Sequence, residues 1–387
     1  MPSIKKTSRI LLSAGESSGD LLAAQLFEEL SSRAPYVEAS GITGPKMSQA
    51  GVQSLDTIEK LSVMGITGVL KKLPQIKMFF TELLEKIDRF NPKLAILVDS
   101  PSFHLLLGEQ LRLRGIRTMM YVAPQLWAWG QNRAYTLKEQ VDHLLGILPF
   151  ETKFFAKYKI PYTYVGSPVY ERILKIKIAE KKTDPYLLGF FPGSRSEEFA
   201  EMFPLMCNIA TILAKDGYRS VINVAPSLSP HCIQETISKY RKVTPSIIKE
   251  FFTGNRLSLG PISIEQGNTL ELMSIVNFAL VTSGTACLEC ALLETPLAMV
   301  YRTSKLNFFI GSRLVKVPYL SLPNLVAGQK IIEEFVQDLD VKSIAKHIKD
   351  VCEGEQLDEL QLKLKHLKKQ MYPYASKKAA EVILSHC

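Results

Sequence analysis

Long hydrophobic runs are missing from this sequence of 387 residues. No apolar stretch approaches the roughly 20 residues that a helix needs to span a bilayer. The apolar run behind the first basic residues covers only residues 10–12, which is too short for the hydrophobic region of a signal peptide. We therefore expect neither a signal peptide nor a transmembrane helix.

Cysteine and histidine are scarce, with six residues of each. Cysteines so widely scattered do not form a secreted disulfide framework, so a reducing compartment, the cytosol, is expected. Cys287 and Cys290 form a C-x-x-C without the second pair that a structural zinc site needs, so we expect both to pack in the core. The histidines lack metal-ligand spacing, and Asp338 and Asp340 are expected to cap a helix. We therefore expect no metal ion at the chemical step and no cofactor.

The three spaced glycines of the dinucleotide fingerprint are also missing, which disfavours a nicotinamide-dependent enzyme. Acidic residues are fewer than basic ones, and the formal net charge is +9. This charge favours anionic partners: phosphorylated ligands, nucleic acid or the negative face of an inner membrane. With 46% hydrophobic residues the chain can bury a full core, and its length predicts two domains.

Short apolar runs alternate with longer helical patterns, which is typical of parallel sheets flanked by helices. We predict strands near residues 10–14, 94–99, 118–123, 143–148, 186–191, 220–225, 277–282 and 296–301. The alternation of strands and helices begins again after a charged stretch at residues 169–185, which we interpret as a linker. The predicted domains are residues 1–170 and 171–340, and a helical tail at residues 341–387 packs back on them. Helices in this tail are predicted near residues 341–351, 357–370 and 376–385.

Three turns rich in small residues follow predicted strands and begin helices, where free N–H groups and the helix dipole favour an anion. The turns are AGESSGD at residues 14–20, FPGSR at residues 191–195 and TSGTA at residues 282–286. Arg195 supplies a bidentate fork for phosphate oxygens, and Glu289, one helical turn after Thr285, suits ribose hydroxyls. Each turn taken alone is equally an ordinary helix cap. Two such turns at strand ends of one domain, however, match the nucleotide sites of open α/β sheets.

Asp99 ends an apolar strand and is followed by Ser100 and Pro101. A partly desolvated carboxylate at this edge suits general-base catalysis, and a cap of the following turn is the alternative. GESSG at residues 15–19 fits the nucleophile-elbow pattern of hydrolases. It follows the first strand, before any loop that would supply a second oxyanion donor, and no histidine stands in a triad context. A serine hydrolase is therefore disfavoured.

Two segments combine large apolar side chains with polar or charged ones. Residues 61–80 mix apolar residues with lysines, which suits a surface that dips into an anionic bilayer; an amphipathic core helix is the alternative. Both tryptophans lie within residues 121–129, where their rings line a sugar or acyl pocket or pack domains together. The candidate membrane residues are Met64, Ile66, Val69, Leu70, Lys71, Lys72 and Leu73.

Nine motifs occur along nearly the whole chain in an order and spacing that chance would not produce. They are SAGESSGD at residues 13–20, VMGI at 63–66, LVDSPSF at 97–103, YVAPQLWAWGQNR at 121–133, LPFE at 148–151, FPGSR at 191–195, SGTACLE at 283–289, YR at 301–302 and SLPNLVAG at 321–328. Together they resemble the lipid-A-disaccharide synthase family, inverting glycosyltransferases of outer-membrane biosynthesis.

The resemblance implies an α/β fold of the GT-B type, with two Rossmann-like domains facing a central cleft. It implies a UDP-2,3-diacylglucosamine donor and a 2,3-diacylglucosamine 1-phosphate acceptor, both taken from an anionic inner-membrane surface. A peripheral location on the cytoplasmic face of that membrane follows, without a nucleic acid partner. A homodimer is left open.

The resemblance also implies roles for particular residues. Asp99 is the expected base that deprotonates the 6-hydroxyl of the acceptor as it attacks the anomeric carbon of the donor. Arg195 and the amides around Ser194 and residues 283–285 are expected to bind the departing diphosphate. The expected UDP contacts are Gly193, Ser194, Arg195, Ser283, Gly284, Thr285, Glu289 and Asn324. The expected donor or acceptor sugar contacts are Ser17, Asp20, Gln125 and Trp127.

The sequence departs from the family pattern at two positions. Ser167 stands where the family commonly has a histidine in a VGHP-like turn, and Asn277 stands where it often has aspartate. The tail after Lys330 matches loosely, which leaves acyl-chain selectivity open. The rival interpretations are another GT-B transferase or epimerase of UDP-sugars, and a basic scaffold that binds membranes or nucleic acid without catalysis.

Overall fold

The computed structural model describes residues 7–64, 69–176, 184–241, 251–304, 308, 313 and 317–386, with backbone only at residues 62–64, 69–75 and 241. It divides the chain into two compact units. The first unit runs to Pro168 and resumes at Tyr372, and the second comprises Val169–Met371. Within the described ranges, no helix is both long and apolar enough to cross a bilayer.

The first unit contains a seven-stranded parallel sheet in the order β3-β2-β1-β4-β5-β6-β7. Its strands are β1 (Ser8–Ala14), β2 (Val37–Thr43), β3 (Gln53–Thr57), β4 (Leu94–Val98), β5 (Arg117–Tyr121), β6 (His143–Gly146) and β7 (Tyr162–Tyr164). All five residues of β4 are buried, as expected of a strand covered on both faces. The four strands predicted in this half are confirmed, whereas β2, β3 and β7 were not predicted.

Helices connect these strands in the first unit. They are α1 (Ser17–Arg33), α2 (Pro45–Ala50), α3 (Ile58–Met64), α4 (Val69–Phe90), α5 (Pro101–Leu113), α6 (Ala134–Gln140) and α7 (Glu151–Lys157). Leu26 and Leu30 of α1 and Leu83 and Ile87 of α4 are fully buried in one core with β1 and β4. The candidate membrane residues lie outside the described side chains, and Ile66 lies outside the described backbone as well.

The second unit contains a seven-stranded sheet in the order β10-β11-β9-β8-β12-β13-β14, in which only the β10–β11 pair is antiparallel among the described strands. Its strands are β8 (Leu187–Phe191), β9 (Arg219–Val224), β10 (Arg256–Leu259), β11 (Ile262–Gln266), β12 (Phe278–Thr282), β13 (Leu297–Tyr301) and β14 (Glu333–Val336). The four strands predicted here are confirmed, whereas β10, β11 and β14 were not predicted. Each unit is thus a Rossmann-like α/β sheet, and the fold is the two-domain α/β class that was predicted.

The described helices of the second unit flank this sheet. They are α8 (Pro168–Lys175), α9 (Ser196–Leu213), α10 (Pro230–Arg241), α11 (Thr269–Ile275), α12 (Thr285–Leu292), α13 (Leu322–Ala327), α14 (Val341–Glu353) and α15 (Gln356–Gln370). Cys287 and Cys290 are fully buried in α12, which confirms that they are packing residues. Asp340 caps α14 as predicted, since its carboxylate accepts hydrogen bonds from the Ser343 N–H at 2.9 Å and hydroxyl at 2.6 Å.

The last helix, α16 (Ala375–Leu384), belongs to the first unit. It packs against α1, and Ala379, Ala380 and Ile383 are fully buried in the core of that unit. The three helices predicted in the tail are therefore present. They do not form a body of their own: α14 and α15 join the second unit, and α16 joins the first.

Candidate active site

The predicted site residues of the second unit follow two strands that neighbour each other in its sheet. From β8 the chain continues to β9, β10 and β11 on one side of β8, and it then returns to β12 on the other side. β8 and β12 pair in parallel. Their carboxyl ends therefore lie at the same edge. Open α/β sheets bind ligands at this reversal of strand order.

The turn after β8 is held by a carboxylate. Gly193 has a φ of +100°, and a Cβ atom there would overlap the Glu198 side chain, so glycine is required. Arg195, the exposed N-cap of α9, precedes Glu198 by the three residues typical of a capping box. The carboxylate accepts hydrogen bonds from the N–H groups of Ser194 and Arg195 and from the Thr282 hydroxyl. Burial raises its pKa, and the charge of Arg195 opposes that rise.

The backbone N–H groups of Ser194 and Arg195, which were expected to bind phosphate, face the Glu198 carboxylate. Phosphate binding by these groups stays a prediction. The Arg195 side chain, in contrast, is exposed. Glu198 also connects the turn after β8 to the end of β12 through Thr282, so both turns depend on it.

The turn after β12 leads into α12. Gly284 has a φ of +131° and α12 begins at the next residue, Thr285. Glu289, on the same helix, forms an ion pair with Arg172 of α8. Burial raises the pKa of the Glu289 carboxyl, and the adjacent Arg172 guanidinium acts against this rise. The pair therefore places a hydrogen-bond acceptor, the Glu289 carboxylate, and a cation, the Arg172 guanidinium, near the turn after β12.

A cavity of about 730 Å³ lies between the two turns. It is lined by seven of the eight predicted UDP contacts: Gly193, Ser194, Arg195, Ser283, Gly284, Thr285 and Glu289. Sequence reasoning missed further lining residues, among them Arg172, Glu198, Asn223 and Thr269. The Thr269 hydroxyl donates to the Asn223 side chain at 2.9 Å. Asn223 gives a signal in the sequence, since it is a polar residue near the end of the apolar strand β9.

The eighth predicted UDP contact, Asn324, does not line this cavity. It is fully buried, and its amide oxygen accepts from the N–H groups of Ile331 and Ile332 at 2.7 and 2.9 Å. Its amide nitrogen donates to the Ile332 carbonyl at 3.1 Å and to Glu334 at 2.7 Å. These bonds use both ends of the amide to join α13 to β14, and the contact of Asn324 with the nucleotide or sugar stays a prediction.

Asp99 occupies the corresponding position in the first unit. It follows β4, which pairs in parallel with β1 where the strand order reverses. Its half-buried carboxylate accepts hydrogen bonds from the Ser100 N–H at 2.8 Å and from the Ser18 hydroxyl at 3.2 Å. Two donors thus orient the carboxylate, and none of the ion pairs found among the described side chains involves it.

The first predicted turn, AGESSGD at residues 14–20, packs against Asp99 and the residues that follow it. A Cβ atom at Gly15 would overlap the Ser100 side chain, and one at Gly19 would crowd the Val98 carbonyl. The two glycines let the start of α1 approach the end of β4 closely enough for Ser18 to reach Asp99. The two motifs therefore contact each other in the folded first unit.

Two of the predicted sugar contacts are structural residues. Asp20 is 2% exposed and caps α2, since its carboxylate accepts hydrogen bonds at 2.9 Å from the N–H groups of Gly44, Lys46 and Met47. Trp127 is 7% exposed, and its indole N–H donates to Glu151 at 2.9 Å. Both side chains are therefore held by other parts of the first unit, and their direct sugar contacts stay predictions.

The remaining predicted sugar contacts, Ser17 and Gln125, have exposed side chains. The exposed tryptophan of the aromatic segment is Trp129, which is 52% exposed. The guanidinium carbon of Arg133 lies 5.6 Å from the centre of its ring, a cation–π contact. Local pattern does not distinguish the two tryptophans, since both stand beside the same alanine, Ala128.

Solved structures with the same fold include enzymes that act on UDP-sugars. A UDP-GlcNAc 2-epimerase from Neisseria meningitidis bound to UDP-GlcNAc superposes with a TM-score of 0.60 over 98% of this chain and 99% of its own, at 12% identity. The glycotransferase of kitacinnamycin gives a TM-score of 0.62 with the same coverage and 11% identity. At these identities the likeness establishes the fold, that of GT-B proteins.

Sequence comparison identifies the family. The family model described as Lipid-A-disaccharide synthetase matches residues 10–385. The lipid-A-disaccharide synthase of Idiomarina loihiensis is 32% identical over 97% of this chain and 98% of its own length. That of Myxococcus xanthus is 35% identical over 89% of this chain and 88% of its own length. The chain therefore belongs to the lipid-A-disaccharide synthase family, and it is a glycosyltransferase of lipid A biosynthesis.

Proposed function

We propose that this chain transfers 2,3-diacylglucosamine from its UDP donor to the 6-hydroxyl of 2,3-diacylglucosamine 1-phosphate, with Asp99 as the general base. The acceptor oxygen attacks the anomeric carbon of the donor and its proton passes to the Asp99 carboxylate. The bond from that carbon to the diphosphate breaks in the same displacement. The products are a β-1,6-linked disaccharide and UDP, with inversion at the anomeric centre.

The observation that carries this proposal is the geometry of Asp99. Its carboxylate lies where the strand order reverses, and one of its oxygens, Oδ1, accepts from the rigid Ser100 N–H. The other oxygen, Oδ2, accepts from a rotatable hydroxyl, that of Ser18. A hydroxyl can turn away when a substrate proton arrives, so we assign the base to Oδ2.

We assign the UDP moiety to the cavity of the second unit. Arg195 is its exposed cation beside the turn after β8, and the N-terminus of α12 favours the negative charge of a diphosphate. This charge grows as the donor bond breaks, so both groups would bind the transition state more tightly than the ground state. The Glu289 carboxylate would accept from ribose hydroxyls.

We also propose that the protein acts as a peripheral protein on the cytoplasmic face of the inner membrane. Both proposed substrates carry two acyl chains, and the net charge of +9 favours an anionic surface. The candidate contact is the segment of residues 61–80, in which lysines alternate with apolar residues. Assembly into a homodimer stays open.

The test is incubation with both diacylated sugars, followed by mass spectrometry of the lipid product and measurement of UDP. One disaccharide should form for each UDP released. Asp99→Asn should lower turnover about 100-fold or more and leave UDP affinity within about twofold, since only the base is lost. Near-normal turnover of this variant would reject the assigned base.

The rival functions give different results in the same assay. An epimerase would convert soluble UDP-N-acetylglucosamine without any lipid acceptor. A scaffold would release no UDP when both diacylated sugars are present, whatever its salt-dependent binding to vesicles or nucleic acid. Conversion of the UDP-sugar without an acceptor, or an absence of UDP release, would contradict the proposed transfer reaction.

A further inference from the structure

His104 is a fully buried histidine that contacts the backbone of Asp99. Its Nδ1 lies 2.7 Å from the Asp99 carbonyl oxygen, and its Nε2 lies 3.1 Å from Ser13 Oγ. Ser13 is on β1 and Asp99 directly follows β4, so the imidazole connects the ends of two neighbouring strands. His104 itself lies in the first turns of α5, which begins two residues after Asp99.

The partners determine which tautomer is present. A carbonyl oxygen can only accept a hydrogen bond, so Nδ1 carries the proton and donates to Asp99. Burial lowers the pKa of His104 to about 4, so the ring is neutral near pH 7. A neutral imidazole has a single N–H, and therefore Nε2 accepts from the Ser13 hydroxyl. Each ring nitrogen thus makes one hydrogen bond, Nδ1 as the donor and Nε2 as the acceptor.

The carbonyl that His104 holds belongs to a strained backbone. Asp99 and Ser100 have φ values of 58° and 45°, in the left-handed region that side chains disfavour. The strand ladder fixes one end of this segment, because the Asp99 N–H donates to the Tyr121 carbonyl at 3.0 Å. The hydrogen bond from His104 fixes the peptide group that joins Asp99 to Ser100, directly after the end of β4.

We infer that His104 is a positioning residue for the proposed base: its Nδ1–H holds the Asp99 peptide in the conformation that orients the carboxylate. This inference rests on the proposed function, because it assumes that Asp99 is the base. Loss of the Nδ1 donor would let the Asp99 peptide rotate away from the left-handed conformation. Catalysis would then fall while the UDP cavity, built from other residues, stays intact.

The experiment compares two amide side chains at this position. Asparagine places its N–H group close to the position of Nδ1, whereas the amide of glutamine lies one carbon further out, near Nε2. We expect His104→Gln to lower kcat ten- to a hundredfold, as misplacement of a catalytic group does. We expect His104→Asn to retain kcat within about threefold. UDP affinity by calorimetry should stay within twofold in both variants.

A matched control and a double variant separate positioning from folding. His347→Gln changes a partly buried histidine of the second unit and should leave kcat unchanged. Rates are normalised to the folded fraction from near-ultraviolet circular dichroism. If His104 acts through Asp99, His104→Gln should have no further effect on kcat in an Asp99→Asn background.

Two results would overturn the inference. Equal kcat values for the Gln and Asn variants would show that the Nδ1 donor is irrelevant, and multiplicative effects in the double variant would show that His104 does not act through Asp99. Failure of the proposed function is distinguishable from both. In that case Asp99→Asn by itself would retain normal turnover.

Discussion

Three residues with side chains adopt left-handed backbone conformations at one edge of the first sheet. Asp99, Ser100 and Val122 have φ values of 58°, 45° and 72°. This conformation costs roughly 1–2 kcal/mol for a residue with a Cβ atom, and the β-branched valine is especially unusual in it. Such strain collects at functional sites, where the surrounding structure holds it in place.

The sequence predicted the location of Asp99 but not this strain. An acid directly after a run of buried aliphatic residues marks a strand end, and local pattern is sufficient to find it. The left-handed backbone arises instead from contacts with other elements, such as the hydrogen bond from His104. For the same reason the sequence did not distinguish the exposed Ser17 from the buried Asp20, although both lie in one motif.

Glu151 is a buried carboxyl that binds two aromatic side chains. The Trp127 indole N–H and the Tyr162 hydroxyl lie 2.9 Å from its two oxygens, and Tyr162 also lies 2.8 Å from the Leu148 carbonyl. Burial raises the pKa of Glu151 to about 7. Around neutral pH this group therefore exchanges its proton in the folded state.

The free energy of unfolding should depend on pH through Glu151. The folded state keeps the proton up to about pH 7, whereas the unfolded chain releases it near its ordinary value of 4.5. The contribution of Glu151 to the free energy of unfolding is complete below pH 4.5. It falls by about 3 kcal/mol as the pH rises to about 7. Glu151→Gln, which mimics the protonated carboxyl, should remove this fall, as measured by denaturant unfolding of the first unit.

The control for this measurement is Glu109→Gln, which changes an exposed glutamate of the same unit. Its stability should follow the pH curve of the unaltered protein. Parallel curves for Glu151→Gln and the unaltered protein would contradict the assignment of this pH dependence to Glu151.

At the scale of elements, the strands that the sequence predicted are the inner ones of each sheet. β4, β8 and β12 are covered on both faces and consist almost entirely of apolar residues, and β1 contains the apolar run of residues 10–12. The strands that were missed lie toward the edges or include small polar residues. In β2, Gly41 is needed because a Cβ atom there would overlap the Leu12 carbonyl, and glycine weakens the strand signal.

The turn after β8 depends on glycine for a different reason. Gly193→Ala would place a methyl group against Glu198 at a left-handed φ, so the carboxylate that holds the Ser194 and Arg195 N–H groups would have to move. We expect UDP affinity to fall about tenfold or more, because the turn and its arginine lose their fixed orientation. Calorimetric titration with UDP measures this effect.

Gly217→Ala is the matched control for this substitution. Gly217 has a similar φ of +87°, but a Cβ atom there would have no heavy atom within 4 Å, and the residue does not line the cavity. It should lower stability by roughly 1–2 kcal/mol and leave UDP affinity unchanged. An equal loss of affinity in both variants would assign the effect to general destabilisation of the second unit.

At the scale of the whole molecule, the sequence predicted two Rossmann-like sheets, and the structure has them. It also predicted helices in the tail, but not where each would dock. α14 packs on α9 and α15 on α12, whereas α16 packs on α1. Docking depends on complementary surfaces that are distant in sequence, so periodicity reveals the helix but not its partner.

The net charge of +9 gives a prediction for the whole protein at membranes. Sedimentation with vesicles that contain anionic phosphatidylglycerol should show binding that weakens steeply between about 0.05 M and about 0.5 M salt. Reversing two charges with Lys71→Glu and Lys72→Glu should weaken binding at low salt by roughly tenfold or more, at about 1 kcal/mol per lysine near the surface.

The control reverses two exposed charges on α15, with Lys365→Glu and Lys369→Glu, and leaves the same net charge. Binding by this variant should stay close to that of the unaltered protein. If both pairs weaken binding equally, the overall charge and not the segment of residues 61–80 attracts the protein to the vesicle.

The return of α16 to the first unit has a consequence for the order in which a newly made chain matures. Domains commonly fold as they emerge during synthesis, beginning with the N-terminal one. Here the second unit is an uninterrupted insertion, Val169–Met371, whereas the first lacks Ala379, Ala380 and Ile383 of its core until α16 has been translated. Until α16 has left the ribosome, the first unit would therefore expose an apolar gap to chaperones, whereas the second unit needs no residue that follows Met371.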